Sequence, residues 1–377
     1  MIGFFSAAGI ALLLYLAAEA WLHGRRLARI PIRIHVNGTR GKTSVTRRLA
    51  AALRGAGVRT IGKVTGDEPR LLLPDGSERV IARRGPARIQ EQMWLVRQAA
   101  AWRAEAIVVE CMALAPELQR VSEERMIRST LGVITNVRPD HGEVMGGELD
   151  AVAAALAGTI PRDGVLVTAD RRYLPRFQEW AAAKGTRVVL AEAAGGEGGE
   201  PAPAEEHAAI VRAVGAELKL GVAAAETGTP APGIWRLEQE GWRMHFVDAF
   251  SANDPVSTQL LQRMAAAAVP LPSPWVALLN NRADRPARMT GFAEALGAER
   301  AFTAVAVAGG LAGLARRRLR AAGCEAWVLA ARRPGEALEE IARRVGRGDF
   351  TVVGMGNAKG LGRECARYLA ERGSPCR

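Results

Sequence analysis

Short apolar segments alternate with longer amphipathic ones along the first part of the chain. The apolar segments are rich in β-branched residues and predict buried strands at residues 30–36, 106–109, 131–135 and 164–168. Helical runs at residues 87–104 and 149–157 lie between them. This alternation is typical of an α/β fold in which helices cover both faces of a parallel sheet. Within it, residues 71–81 carry a Pro-Asp-Gly turn between apolar residues and predict a β-hairpin.

A second series of strands and helices begins at residue 275. The sequence Ala-Val-Pro-Leu-Pro-Ser-Pro at residues 268–274 breaks any helix and indicates a domain boundary there. The predicted domains are therefore residues 25–270 and residues 271–377. Residues 194–204 are a low-complexity segment, for which we expect a surface loop.

One long apolar run without charge occupies residues 2–18, and after Glu19 it continues to residue 22. Its length is about the minimum for one membrane-spanning helix. Basic residues follow at once, at Arg25, Arg26, Arg29 and Arg33, and the positive-inside rule then places the rest of the chain in the cytoplasm. We expect residues 1–24 to form a single-pass transmembrane helix in the cell membrane. A buried N-terminal helix is one alternative, and a cleaved signal peptide, which normally carries its charge before the apolar core, is another.

The charge balance narrows the choice of partners. The formal net charge of +12 suits nucleic acid, an anionic membrane face or an acidic substrate. Neither a zinc-ligand spacing nor an RNA-binding signature is present, so we expect no nucleic-acid partner. The cysteines, at positions 111, 324, 365 and 376, have no CxxC or disulfide-like spacing, which favours reduced thiols.

The strongest local signal is Val-Asn-Gly-Thr-Arg-Gly-Lys-Thr-Ser at residues 36–44, between a predicted strand and a predicted helix. Glycines let such a loop wrap a phosphate, and the backbone N–H groups at the helix start point at it. Lys42 would reach the β- and γ-phosphates of ATP, and the Thr43 hydroxyl would join the shell of Mg²⁺. The predicted nucleotide-binding residues of this loop are Asn37, Gly38, Thr39, Arg40, Gly41, Lys42, Thr43 and Ser44.

The loop is shorter than the usual GxxxxGK[ST] pattern, because Val36 stands where that pattern has its first glycine. It has the form G-T-x-G-K-T-[ST], and a chance glycine turn before a helix is the alternative. This short form resembles the ATP site of Mur ligases and folylpolyglutamate synthases.

Several further stretches resemble a narrower group, the ligase subunit of bacterial poly-γ-glutamate synthase, also known as the capsule-biosynthesis ligase. They keep the family's order, at residues 35–47, 83–92, 109–113, 135–146, 246–258, 280–285 and 353–357. The resemblance implies an α/β fold in which a Mur-ligase-like P-loop domain with a mostly parallel sheet precedes a C-terminal Rossmann-like α/β domain. The N-terminal transmembrane helix also fits that group.

Candidate metal ligands follow two of the predicted strands. Glu110 ends a strand at the edge where a doubly wound sheet places its ligand groups, and a carboxylate suits Mg²⁺. The resemblance implies that Glu110 holds this ion, and that Asn136 and His141 face the nucleotide and a second metal. Asp140 would orient the imidazole. Thr43, Glu110 and His141 are thus the predicted metal ligands, although a solvated glutamate and a structural histidine are the alternatives.

The C-terminal part contributes further predicted nucleotide-binding residues. The resemblance implies that Asp248 and Asn253 line the ribose and phosphates of ATP. It also implies that Arg282 closes over ATP, where an arginine fork suits the transferring phosphate. A surface salt bridge with neighbouring Asp284 is the alternative for Arg282. The predicted catalytic residues are Lys42, Asn136, His141 and Arg282.

The sequence departs from the family pattern at two places, which concern the ligands of the second metal and the contacts to the adenine of ATP. Mur ligases often have a carbamylated lysine in the helix that here spans residues 149–160, and no lysine occurs there. The family also tends to have an asparagine shortly after a histidine like His207, but residues 208–211 are apolar.

The resemblance implies an ATP- and Mg²⁺-dependent amide ligase that joins glutamate to a growing poly-γ-glutamate chain through an acyl phosphate. Its partners would be other membrane subunits of the synthase, and a homo-oligomer is compatible with the sequence. One alternative is a membrane-linked NTPase that powers export of the polymer. The others are a scaffold with a vestigial site, and a peptidoglycan or folate ligase.

Overall fold

The computed structural model describes residues 2–66, 69–83, 85–138, 142–146, 148–193, 203–221, 233–252 and 254–376, without the side chains of residues 2–8, 142, 143, 203 and 204. It divides into two compact units, Met1–Thr229 and Pro230–Arg377. Each unit has its own sheet and its own hydrophobic core.

Unit 1 is an α/β unit with one sheet. Its strands are β1 (Ile32–Asn37), β2 (Thr60–Val64), β3 (Arg70–Leu72), β4 (Glu78–Val80), β5 (Ala106–Glu110), β6 (Leu131–Ile134), β7 (Val165–Thr168) and β8 (Arg187–Leu190). Its helices are α1 (Ile2–Ala28), α2 (Lys42–Gly55), α3 (Glu91–Ala101), α4 (Pro116–Val121), α5 (Gly142–Met145), α6 (Leu149–Leu156), α7 (Leu174–Ala182) and α8 (Pro203–Glu217). A π-helical turn, Ser122–Ile127, follows α4, and a 3-10 turn, Ala157–Thr159, follows α6.

Among the described residues the strand order in unit 1 is β4-β3-β2-β5-β1-β6-β7-β8. The six strands β2, β5, β1, β6, β7 and β8 are neighbours in this order and run parallel. Strands β3 and β4 extend the sheet beyond β2 with antiparallel pairing. Strands β1, β5 and β6 are central, and β5 and β6 consist largely of buried apolar residues, as strands covered on both faces require. The predicted parallel sheet and the predicted hairpin are therefore confirmed.

Unit 2 is a second α/β unit. Its strands are β9 (Gly233–Gln239), β10 (Trp242–Asp248), β11 (Trp275–Asn281), β12 (Ala304–Gly309), β13 (Ala326–Val328), β14 (Gly348–Gly356) and β15 (Ser374–Pro375). Its helices are α9 (Pro255–Ala268), α10 (Pro286–Ala298), α11 (Ala312–Ala321), α12 (Pro334–Val345) and α13 (Leu361–Arg372). In the described part of the chain the strand order is β13-β12-β11-β14-β10-β9-β15, with a parallel centre and antiparallel β9 and β15.

The predicted domain boundary near residue 270 is wrong, because the units divide between Thr229 and Pro230. Strand β10 pairs along its whole length with β14, so the hairpin β9–β10 belongs to the second sheet. The proline-rich loop before β11 lies inside unit 2. Thr351 of β14 donates its hydroxyl to the Pro272 carbonyl (2.7 Å) and its backbone N–H to the Pro274 carbonyl (3.0 Å).

The predicted transmembrane segment falls on α1, whose first side chains lie outside the described ones. Over the residues that the structure describes, no helix combines the length and apolar character that crossing a membrane requires. The predicted anchor is therefore not confirmed. The end of α1 belongs to unit 1, since Leu27 and Ile30 are buried in a cluster with Leu95 and Val96 of α3.

Candidate functional site

The glycine loop between β1 and α2 has a backbone that only glycine adopts easily. Gly38 has φ +127° and Gly41 has φ +81°, both in the region that disfavours other residues. A Cβ on Gly38 would also collide with the Thr135 hydroxyl, and one on Gly41 with the His207 ring. The two glycines let the loop turn tightly onto the N-terminus of α2, where free backbone N–H groups attract an anion.

Lys42 is the first residue of α2, and its ammonium lies over the loop. Its Nζ donates to the carbonyl oxygens of Gly38 (2.6 Å) and Thr39 (3.3 Å). A cation held over a glycine loop at a helix N-terminus is the arrangement that binds the phosphates of a nucleotide. Ser44 lies exposed in the first turn of the same helix.

The segment after β6 fastens the glycine loop. Asn136 is buried, and its Oδ1 accepts the Thr39 hydroxyl (2.8 Å) and the Arg40 backbone N–H (3.0 Å). The Thr39 N–H donates to the Asn136 carbonyl (3.1 Å), and the Thr135 hydroxyl donates to the Arg40 carbonyl (2.6 Å). In this structure Asn136, predicted as a catalytic residue, positions the loop.

Thr43 and Glu110 meet across the loop, as their predicted role as metal ligands requires. The Thr43 hydroxyl donates to Glu110 Oε1 (3.0 Å), and the Thr65 N–H donates to Glu110 Oε2 (2.7 Å). Glu110 is 3% exposed, at the carboxyl end of β5. A carboxylate and a hydroxyl beside a phosphate-binding loop fit Mg²⁺, which usually takes one or two carboxylates together with substrate phosphates.

The sequence also predicted a second metal ion. Among the described residues, no group of three or more His, Cys, Asp or Glu side chains is arranged to hold an ion. The predicted ligand His141 and its neighbour Asp140 lie outside the described residues, as does Asn253. The roles predicted for these residues therefore stay predictions.

Asn37 has a different role from the predicted one. Its side chain is buried, and its Nδ2 donates to Gln119 Oε1 (2.7 Å) and Thr159 Oγ1 (3.1 Å). These bonds join the end of β1 to α4 and to the 3-10 turn. The side chain is therefore engaged in structural hydrogen bonds, and only its backbone borders the glycine loop.

His207 lies against Gly41, and its surroundings explain one departure from the family pattern. Burial, aided by the positive charge of Arg48, lowers the pKa of His207 to about 4, so the ring is neutral at pH 7. The residues that follow it, Ala209, Ile210 and Val211, are core residues of unit 1. An asparagine at these positions of α8 would place an amide in the apolar core.

A buried ion pair involves β1, the strand that leads into the glycine loop, and no sequence pattern predicted it. His35 of β1 is fully buried, and its Nδ1 lies 2.8 Å from Glu123 Oε2 in the π-helical turn. Glu123 Oε1 accepts the backbone N–H (2.7 Å) and hydroxyl (2.9 Å) of Ser129. Burial alone would lower the pKa of His35, but Cys111 and Glu123 beside it raise that pKa to about 10.

In unit 2, polar residues gather at the carboxyl ends of the parallel strands. In the strand registers, Asp248 is opposite Gly354 and Asn280 is opposite Gly356. Asn280 donates its Nδ2 to the carbonyl oxygen of Asn357 (2.6 Å) and accepts the Asn357 Nδ2 on its own carbonyl (3.1 Å). Burial raises the pKa of Asp248. Asp248 is a predicted site residue, whereas Asn357 is not, and the only signal for Asn357 in the sequence is its place in the last family stretch.

Arg282 follows β11 at the same edge. Its Nε and Nη2 donate to the two carboxylate oxygens of Asp284 (2.9 and 2.7 Å), and this pairing lowers the pKa of Asp284. The structure thus contains the salt bridge that was the alternative for Arg282. A contact of Arg282 or Asp248 with ATP stays a prediction.

Two protein families match the chain. The Mur ligase middle domain matches residues 36–212, and the poly-gamma-glutamate synthase CapB C-terminal domain matches residues 234–372. "Capsule biosynthesis protein CapB" of Bacillus anthracis is 35% identical over 301 residues, 75% of this chain and 64% of that protein. "PGA synthase CapB" of Bacillus subtilis (strain 168) is 34% identical over 296 residues, 72% of each chain. The chain thus spans slightly less than two thirds of the first relative's length.

Solved structures show the same fold. A bifunctional folylpolyglutamate synthase/dihydrofolate synthase from Yersinia pestis, complexed with AMPPNP and a Mn ion, superposes with a TM-score of 0.64 at 16% identity. The match covers 96% of this chain and 97% of that one. Fold, glycine loop and middle domain together place the chain in the Mur ligase superfamily. Within that superfamily, the chain belongs to the CapB family of poly-γ-glutamate synthases.

Proposed function

We propose that the chain is an ATP-dependent amide ligase that forms poly-γ-glutamate from glutamate. The observation that carries the proposal is the hydrogen bond between Thr43 and Glu110 beside Lys42, on a glycine loop at the start of α2. This arrangement can bind the phosphates of ATP and a divalent cation together. The name of the Bacillus subtilis relative and that of the matching C-terminal family support poly-γ-glutamate as the product. The net charge of +12 suits a polyanion.

The proposed reaction has two steps. A carboxylate oxygen of one glutamyl substrate attacks the γ-phosphorus of ATP, the bond to the β-phosphate oxygen breaks, and ADP leaves. The amine of the second substrate then attacks the carbonyl carbon of this acyl phosphate. The carbon–oxygen bond to phosphate breaks, the nitrogen loses a proton, and an amide and inorganic phosphate remain.

The residues of unit 1 position the reactants and balance their charge. The N–H groups at the start of α2 and the Lys42 ammonium neutralise phosphate oxygens. Glu110 and Thr43 would hold Mg²⁺, which when bound neutralises charge on the transferring phosphoryl group. Asn136 keeps the loop in shape through Thr39 and Arg40. Support for a nucleotide and a divalent metal also comes from the AMPPNP and Mn ion in the Yersinia pestis structure.

ADP release tests the activity directly. The purified protein should release ADP when ATP, Mg²⁺, glutamate and poly-γ-glutamate are all present, and much more slowly when glutamate is omitted. The same assay is repeated in membranes that carry the whole synthase, because the chain could require partner subunits for activity. ADP release that is equally fast without glutamate and polymer would favour an export NTPase instead.

We further propose that α1 anchors the protein in the cell membrane in a single pass, with the catalytic part in the cytoplasm and beside other membrane subunits of the synthase. A homo-oligomer is compatible with this placement. Exposed apolar side chains on α1 support an anchor, at Ile10, Leu12, Leu13, Leu14, Tyr15, Leu16, Trp21 and Leu22. Leu13 and Leu14 are 67% and 66% exposed, which is unusual for apolar side chains that follow one another along a helix. Arg25 and Arg26, in its last turn, suit the cytoplasmic side.

Deletion of residues 2–18 should release the protein from membranes and leave its affinity for ATP within about twofold. The deletion spares His23, whose Nε2 contacts the Met126 carbonyl (2.8 Å), and buried Leu27, so unit 1 keeps its packing. Flotation with vesicles and nucleotide titration measure the two properties. A truncated protein that still floats with vesicles would contradict the anchor.

A further inference from the structure

An arginine-lined cleft opens in unit 1 beside the hairpin β3–β4 and the start of α3. Its volume is about 650 Å³, in the range of pockets that bind small organic ligands. Arg79 comes from β4, and Arg83 and Arg88 come from the segment that leads to α3. This segment is one of the stretches on which the family resemblance rests, and neither the glycine loop nor Glu110 accounts for its arginines.

The acidic charge of the cleft is already neutralised. Glu91, its one acidic lining residue among those described, accepts Arg83 Nε and Nη2 (2.6 and 2.9 Å). The fully buried Lys63 lies on the other side of this carboxylate, with its Nζ 3.0 Å from Glu91 Oε2. Arg79 and Arg88 are exposed, and no acidic partner for either occurs among the described residues. The cleft therefore carries a surplus of positive charge.

Lys63 also connects the cleft with the proposed metal ligand. It lies on β2, and its Nζ lies 3.5 Å from the sulfur of Met112, two residues beyond Glu110. Thr65, two residues after Lys63, donates its N–H to the Glu110 carboxylate. Strands β3 and β2 thus lie between Arg79 on β4 and the strand that ends at Glu110, all in the same sheet of unit 1.

The walls of the cleft are apolar as well as cationic. Val80, Ile81 and Trp94 line it together with the arginines, and Val80 is 47% exposed. A γ-linked glutamate chain repeats two methylene groups and one α-carboxylate, so it offers apolar contacts and anions in alternation. Arginine forks bind carboxylates in bidentate geometry, and the apolar walls suit the methylenes.

We propose that this cleft binds the γ-linked glutamate chain next to the reaction site, with Arg79 and Arg88 as its carboxylate-binding residues. The Arg83–Glu91–Lys63 group forms a fixed wall behind them. The inference rests on the proposed function for the identity of the chain. Free glutamate shares the carboxylate chemistry, but a single amino acid fills only a small part of such a volume.

The test uses the full-length protein and a fluorescent γ-linked glutamate oligomer, whose binding is followed by anisotropy at physiological salt. The double variant Arg79→Ala/Arg88→Ala should bind the oligomer about tenfold more weakly, because charge-assisted contacts to carboxylates are lost. The variant Arg79→Lys/Arg88→Lys should recover part of this affinity. Free glutamate should displace the oligomer only poorly.

Arg97→Ala is the matched control, since Arg97 is an exposed arginine of α3 outside the cleft. It should bind the oligomer as the parent does. The proposal would be overturned if the double variant bound the oligomer as tightly as the parent does. It would also be overturned if Arg97→Ala lost as much affinity as the double variant, because the oligomer would then be attracted by the net charge alone. Efficient displacement by free glutamate would overturn it in favour of a monomer site.

ADP release on the same preparations separates this inference from the proposed function. If the parent releases ADP in a glutamate-dependent way and the double variant binds the oligomer normally, only the cleft proposal fails. If the double variant loses oligomer binding and the parent shows no glutamate-dependent ADP release, the cleft stands as a polycarboxylate site and the ligase proposal fails.

Discussion

Replacement of Lys42 by alanine should lower ATP turnover by at least about 10²–10³, the usual effect of removing one charged group from a transferring phosphate. The ammonium lies over the loop, where its Nζ donates to the carbonyl oxygens of Gly38 and Thr39. The side chain is not part of the hydrophobic core of unit 1, so the melting temperature should change little. ADP release and thermal unfolding measure the two effects.

Lys219→Ala serves as the control for Lys42→Ala, since Lys219 is an exposed lysine beyond the end of α8. It should retain the turnover of the parent. If Lys42→Ala is folded and releases ADP as fast as the parent, the glycine loop is not the phosphate-binding site of the ATPase reaction.

Replacement of Glu123 by glutamine should lower the free energy of unfolding of unit 1 by about 3–5 kcal/mol, the usual cost of breaking a buried ion pair from one side. The substitution leaves the positive charge of buried His35 without its 2.8 Å partner. At this size of unit, the melting temperature should fall by roughly 10 °C. Glu124→Gln, at the exposed neighbouring position, is the control and should melt as the parent does.

The same ion pair predicts how stability depends on pH. The pKa of His35 is raised in the folded protein, from an ordinary 6.5 to about 10, so the folded state binds the proton more tightly than the unfolded state. The contribution to stability is fully present below pH 6.5 and is lost as the pH rises towards 10. The parent should lose stability across this window and Glu123→Gln much less. Parallel pH profiles for the two proteins would show that His35 is not charged.

The glycine loop was predictable because its chemistry is local. The spacing of Gly38, Gly41 and Lys42 depends on a single turn between one strand and one helix, and the structure has that turn. Glu110 was predictable for a different reason. Parallel strands end at the same edge, so a carboxylate at the end of β5 must lie near a loop at the end of β1.

The long-range partners were not predictable from the sequence. Asn37 bonds to Gln119, and His35 to Glu123, across separations of 82 and 88 residues. Alternation along β1 puts His35 and Asn37 on one face of the sheet, but it does not show which helix covers that face. The predicted domain boundary was wrong for a similar reason. A proline-rich segment that breaks a helix indicates a domain boundary, but here it forms a loop that hydrogen bonds from Thr351 of β14 hold within unit 2.

The measurement that tests the central proposal most directly is capture of the acyl phosphate by hydroxylamine. The protein is incubated with ATP, Mg²⁺, glutamate, poly-γ-glutamate and hydroxylamine, as purified chain and in membranes with the whole synthase. A ligase of the proposed kind activates a carboxylate before the amine attacks, so a hydroxamate should accumulate only when both ATP and the glutamyl substrates are present. Rapid ATP hydrolysis without hydroxamate and without polymer, in both preparations, would contradict the proposal and favour an export motor.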